Sequence, residues 1–114
     1  MLQPERIIQD RLMAFLMSRG ALAFMIKTTA SYDPKIGRFR KCSRWYRRGV
    51  SDILGIYLGK FIALEVKTKK GYPSELQKLF LNDVHKAGGY GAVVRCEEDV
   101  DAFLKRIDQD LRER

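Results

Sequence analysis

One histidine, His85, and two cysteines, Cys42 and Cys96, are the only nitrogen and sulfur side chains of the kind zinc prefers in these 114 residues. No zinc-module spacing can be built from them, and a nuclease of the His-metal finger type is hard to assemble on a single histidine. Two cysteines so far apart give no disulfide framework, so both are expected to be free thiols in a reducing cytoplasm. Apolar runs fall well short of the roughly 20 residues that a membrane span needs. The opening Met-Leu-Gln-Pro-Glu also lacks the basic segment and apolar stretch of an export signal. The chain is therefore expected to be cytoplasmic, neither exported nor inserted. With three prolines and no repeat, linker or low-complexity tract, residues 1–114 are expected to form a single domain.

Positive charge is abundant: 22 Lys plus Arg stand against 14 Asp plus Glu, a net charge of +8. A polyanion is the natural partner for such a surface. The charge is also clustered. Lys35, Arg38, Arg40, Lys41, Arg44, Arg47 and Arg48 put seven cations into fourteen residues with no acid among them, and Phe39, Trp45 and Tyr46 are interleaved. Basic residues with aromatics suit phosphate contacts combined with base stacking. The alternative is a solvated loop whose tryptophan tucks into the core.

Hydrophobic residues make up 46% of the chain, enough for a real core. Pro4 at a first helical position precedes Ile7, Ile8, Leu12, Phe15 and Leu16, a helical stripe that ends near Gly20. Residues 21–29 suit a strand, and the basic loop then runs to Gly49. Residues 50–58 and 61–68 are expected to form an antiparallel hairpin turning at Gly59 and Lys60. Ser74 and Gln77 have the spacing of a capping box for a helix carrying Leu76, Leu79, Phe80, Val84 and Ala87, stopped by Gly88 and Gly89. Residues 90–95 form a short strand. The acids Glu97, Glu98 and Asp99 then suit the start of a last helix with Val100, Phe103, Leu104, Ile107 and Leu111. The order α-β-β-β-α-β-α predicts an α/β domain, a mixed four-stranded sheet flanked by helices, with the last two strands parallel.

Charged residues inside an apolar strand require a reason. In the segment Phe61-Ile-Ala-Leu-Glu-Val-Lys-Thr68, alternation places Glu65 and Lys67 on one face, with Ile62, Leu64 and Val66 on the other. A turn pairing residues 58 and 61 sets Asp52 near Lys67 and makes Asp52 and Glu65 diagonal neighbours. Two converging carboxylates suit a hard divalent ion, with Mg2+ the default. Such an ion would acidify a bound water, while Lys67 could orient that water or stabilise the phosphorane. An isolated Glu-x-Lys could equally be a simple ion pair.

The stretches Gly49-Val-Ser-Asp-Ile-Leu-Gly55, Phe61-Ile-Ala-Leu-Glu-Val-Lys-Thr68, Ser74-Glu-Leu-Gln77 and Gly88-Gly-Tyr-Gly-Ala-Val-Val-Arg95 together resemble the VRR-NUC domain. This is the virus-type replication-repair branch of the PD-(D/E)xK nucleases. The likeness covers residues 49 to about 104 closely and the first helix loosely. It implies a restriction-endonuclease-like αβββαβ core, with Asp52, Glu65 and Lys67 as the motif residues and Gln77 as the glutamine that begins the following helix. It further implies Asp52, Glu65 and Val66 as metal ligands, and Mg2+ as the cofactor with Mn2+ able to substitute. Glu5 occupies the position of a first-helix acid that approaches the metal. Ser51 stands where the motif name has proline. Gln77 could instead serve only the capping box, and Glu5 only the helix dipole, with Gln9 a rival on the same face. His85 is expected at the surface.

The function expected from this resemblance is structure-selective cleavage of branched DNA, such as a Holliday junction. One domain of this size is too small to hold a branched substrate and cut two strands, so a homodimer is expected. Rival expectations are a nuclease acting on ordinary duplex, a basic nucleic-acid-binding module without catalysis, and a small subunit docking on an acidic protein. Neither a membrane nor a small-molecule cofactor is expected.

Overall fold

The computed structural model describes residues 4–26, 32–33, 38–39 and 46–113. The first helix, α1 (Pro4–Ser18), buries Leu12 and Leu16 completely, while Ile8 and Phe15 pack at the margin of the core. It ends at Gly20, whose φ of 90° only glycine adopts without strain. The first strand, β1 (Leu22–Met25), pairs antiparallel with β4 (Ile53–Tyr57). β4 turns into β5 (Lys60–Val66), and β5 crosses through α2 (Glu75–Lys86) to the parallel strand β6 (Tyr90–Val94). The last helix, α3 (Glu97–Arg112), carries three acids in its first turn, where they complement the helix dipole. The sheet order is β1-β4-β5-β6, so the described residues form an α/β fold with a mixed four-stranded sheet and three helices. Among the described residues no helix is long and apolar enough to cross a membrane.

Two apolar clusters sandwich the sheet. The larger joins Leu12 and Leu16 of α1 and Val100, Phe103, Leu104 and Ile107 of α3 to Ile53, Ile62, Leu64, Val66 and Val94. The smaller places Leu81 and Val84 of α2 over Ala63, with Leu54, Phe80 and Val93 around them. α1 and α3 therefore cover one face and α2 the other. The stripe expected on α2 is only partly used: Val84 is buried, but Leu76 and Leu79 are exposed and Leu81 takes the inner position. α2 contacts β5 and β6 and leaves the β1 side of its face uncovered, where Leu22, Phe24 and Ile56 are exposed. β5, flanked by β4 and β6 and covered on both faces, is buried from Ile62 to Val66. That placement makes a glutamate within it chemically significant.

The hairpin register differs from expectation. Its turn is Leu58 and Gly59, both left-handed at φ 50° and 79°, the conformation that a tight two-residue connection favours. Tyr57 consequently pairs with Lys60, and Ile53 with Leu64. The sequence alone does not distinguish Gly59 as the first or the second turn residue. A slip of two residues returns each side chain to its expected face but changes its neighbour. Continued by one position, the ladder sets Asp52 opposite Glu65 rather than Lys67.

The basic stretch is also not a plain loop. The backbones of β2 (Tyr32–Asp33) and β3 (Arg38–Phe39) pair antiparallel as a second, two-stranded sheet. Lys35, Arg40, Lys41, Arg44 and Trp45 lie outside the described residues, as do Cys42 and the expected strand residues 27–29.

Candidate active site

The site is built where β4 begins and β5 ends. Ile26 N–H donates to the Asp52 carbonyl at 3.0 Å, extending the β1–β4 pairing one step beyond Ile53. There the side chain of Asp52 takes over from the ladder: its Oδ2 accepts from the Val66 amide at 2.9 Å. This pins the Asp52 carboxylate against the end of β5. Glu65 is 1% exposed. Its Oε1 accepts from Gln77 Nε2 at 2.7 Å and lies 3.6 Å from the ammonium of Lys67. Its Oε2 is buried with no hydrogen-bond partner.

A buried carboxylate with one bare oxygen is expensive to ionise. Burial raises the Glu65 carboxyl most, and the negative charge of Asp52 beside it adds to the rise. Lys67 pulls the other way, and the net result is a carboxyl pushed up to about 8. The Glu65 carboxyl is therefore biased towards its protonated form beside Asp52.

Gln77 both caps its helix and reaches Glu65. Its Oε1 accepts from Ser74 N–H at 2.8 Å and its own N–H donates to Ser74 Oγ at 3.2 Å, a complete capping box. Its Nε2 is left over for Glu65. Cap and site contact are thus one side chain with its two amide ends assigned separately. Ser74→Ala removes the hydroxyl cap while sparing the Glu65 contact, whereas Gln77→Ala keeps its backbone N–H on Ser74 Oγ and removes the side-chain half of the box together with the Glu65 contact. Each should lower thermal stability by about 1 kcal/mol, but only Gln77→Ala should impair the chemistry of the site, by about 10-fold or more. Melts and single-turnover rates of both variants measure this, and equal rates would show that the Glu65 contact is idle.

The other expected residues divide. Lys67, 18% exposed, lies between the buried glutamate and solvent. The Val66 side chain is buried in the α1–α3 core, so only its backbone can serve the site. Glu5 is half-buried in the first turn of α1, and among the described residues no group of three or more His, Cys, Asp or Glu side chains could hold a metal ion. Gln9, its rival, is half-buried on the same helix. Ser51, beside Asp52, is buried with its hydroxyl unpaired. His85 is exposed, as expected, with Nε2 3.0 Å from the Gly91 amide on β6.

Of the basic stretch, the side chains of Arg47 and Arg48 are described, and both are exposed. Arg47 pairs with Asp83 at 2.7 Å and sits 5.1 Å above the Phe80 ring, so the end of the basic stretch is fastened to α2. Gly49 follows at φ 79°, so close that an added Cβ would lie 2.5 Å from the carbonyl carbon of Leu76. Leu76 is the neighbour of Gln77, so the basic stretch ends beside the carboxylate site. These long-range fastenings leave no mark on sequence periodicity. A groove of about 740 Å³ runs along β6 between α2 and α3, lined by His85, Gly91, Arg95 and Phe103 but by none of the site carboxylates.

No protein-family model matches the chain, and a search among curated proteins finds no match.

Proposed function

We propose that the chain is a metal-dependent nuclease with a restriction-endonuclease-like core, hydrolysing phosphodiester bonds of DNA at Asp52, Glu65 and Lys67. The observation that carries this is the bare, buried Oε2 of Glu65 beside a second carboxylate. Two carboxylates fit a small hard cation that keeps several waters and shares substrate phosphate oxygens. Mg2+ is the proposed ion, with Mn2+ as substitute, held by Asp52, Glu65 and the Val66 carbonyl. When bound, such an ion acidifies water and neutralises charge on the phosphoryl group. The protein's own groups do the rest. Gln77 fixes Glu65 through Oε1 and leaves Oε2 open. The Val66 amide fixes Asp52. The Lys67 ammonium, reaching solvent, supplies a positive charge where a phosphorane would develop. Arg47, Arg48 and the basic stretch before them supply the field that gathers the polyanion.

The substrate proposed is branched DNA, cut by a homodimer, as the resemblance to VRR-NUC domains implies. Cleavage of labelled single strand, duplex, flap and four-way junction, in Mg2+, Mn2+ or chelator, tests this against Asp52→Ala and Glu65→Ala. Metal-dependent products are expected from the native chain, with a loss of at least 10³-fold in either variant. The 3.6 Å ion pair between Glu65 and Lys67 favours a second reading, a basic binding module in which the two merely neutralise each other. Binding without cutting in every metal, unaltered by either substitution, would establish that second reading.

A further inference from the structure

The segment between Val66 and Ser74 contains Lys67, Lys69 and Lys70 and no acid. It forms a tight turn, the Gly71 amide donating to the Thr68 carbonyl at 3.1 Å. The turn folds back on the site: a Cβ at Gly71 would lie 3.5 Å from Cδ of Lys67. Arg95, just past β6, clamps it from the other side. Its Nη2 donates to the Gly71 carbonyl at 2.7 Å, and its guanidinium sits 5.8 Å from the centroid of the Tyr72 ring. Tyr72 nevertheless remains 79% exposed, and Lys69 and Lys70 are exposed beside it. A large ring held by a cation in open solvent, instead of buried in the core, is the arrangement that proteins use to stack on an unpaired base. A base inside a duplex offers only its edge to such a ring, because its faces are already stacked.

We infer that residues 69–72 form a nucleotide-stacking platform: Tyr72 stacks on an unpaired base, and Lys69 and Lys70 hold the flanking phosphates of a single-stranded stretch beside the Glu65–Lys67 ion pair. The substrate then lies between this platform and the basic stretch that ends at Arg48. The inference deepens the nuclease reading and rests on it for the identity of the strand, but its test does not depend on cleavage.

Binding of the full chain to a fluorescent single-stranded oligonucleotide and to a blunt duplex is measured in chelator, where no metal-dependent cutting can occur. Tyr72→Ala is expected to weaken single-strand binding about ten-fold and to leave duplex binding unchanged, while Tyr72→Phe keeps native affinity. The double variant Lys69→Ala/Lys70→Ala is expected to reduce the slope of log affinity against log salt by about 1.4 on single strand. Native single-strand affinity in Tyr72→Ala, or an equal loss on duplex and single strand, overturns the platform. Thermal melts identify any variant that fails to fold, and Tyr72→Phe then still decides whether the ring or the hydroxyl matters. Should the Tyr72 effect persist in a chain that cuts nothing in any metal, the platform stands and the nuclease reading falls.

Discussion

Glu65→Gln should make the metal-free protein more stable at pH 8 while abolishing its response to metal. Glutamine has the shape of a protonated glutamate: its oxygen can keep the hydrogen bond from Gln77, and its amide can face Asp52. The native carboxyl is raised from an ordinary 4.5 to about 8, chiefly by burial and then by Asp52. Below pH 4.5 the group is protonated in folded and unfolded chains alike, and its stabilising contribution is fully present. Between 4.5 and 8 the unfolded chain releases a proton that the folded chain retains, so stability falls as pH rises, and the loss is complete above about 8. The loss amounts to a few kcal/mol, or about 10 °C in melting temperature for a domain of this size. Melts of the native chain in chelator should therefore decline across that window, while those of Glu65→Gln stay flatter and lie higher at its upper end. Saturating Mn2+ should restore the native chain by about 3 kcal/mol at a hundredfold excess over its dissociation constant and do little for the variant. A variant that melts below the native chain at pH 8 without metal, or that gains equally from Mn2+, would remove the strained carboxylate pair as the basis of the site.

Much of this site is visible in the sequence because it rests on parity. Glu65 and Lys67 must share a face of β5, and Asp52 must share it whenever the hairpin slips by an even number of residues. The observed register lies two residues from the expected one, yet the same two carboxylates meet, directly opposite instead of diagonal. Gln77 was legible for a different reason, since the spacing from Ser74 marks a capping box whatever else the side chain does. Contacts between distant segments were not legible. Neither the seating of Gly49 on Leu76 nor the reach of Arg95 across to Gly71 and Tyr72 follows from periodicity, because both depend on how α2 and its preceding turn dock on the sheet. The ribbon of β2 and β3 was hidden for a third reason: its strands span two residues each, too short for alternation to register. Glu5 carries less information, because an acid in the first turn of a helix already has a sufficient explanation in the dipole.

Gly49→Ala should be strongly disruptive, and Gly59→Ala is its control. Both glycines have φ of 79°, so a methyl group costs each about 1 kcal/mol of backbone strain. Their surroundings differ. A Cβ at Gly59 meets nothing within 4 Å, whereas at Gly49 it would lie 2.5 and 2.6 Å from the carbonyl carbon and oxygen of Leu76. Those atoms are backbone and cannot rotate away. Either the strand entry lifts off α2, taking Arg47 from Asp83 and Phe80, or the first turn of α2 shifts and moves Gln77 relative to Glu65. Overpacking of this kind adds about 1–3 kcal/mol to the strain. A displacement near 1 Å at a catalytic constellation costs on the order of 100-fold in rate. Gly49→Ala is thus expected to lose several times more stability than Gly59→Ala, and to lose cleavage at temperatures where it is still folded, while Gly59→Ala cuts at the native rate. The two ways of yielding separate by salt dependence: a lifted loop flattens the slope of DNA binding against salt by losing phosphate contacts, and a shifted helix leaves that slope intact while the rate falls. Equal and mild effects of the two substitutions would mean that the basic stretch is not fastened to the helix that orders the site.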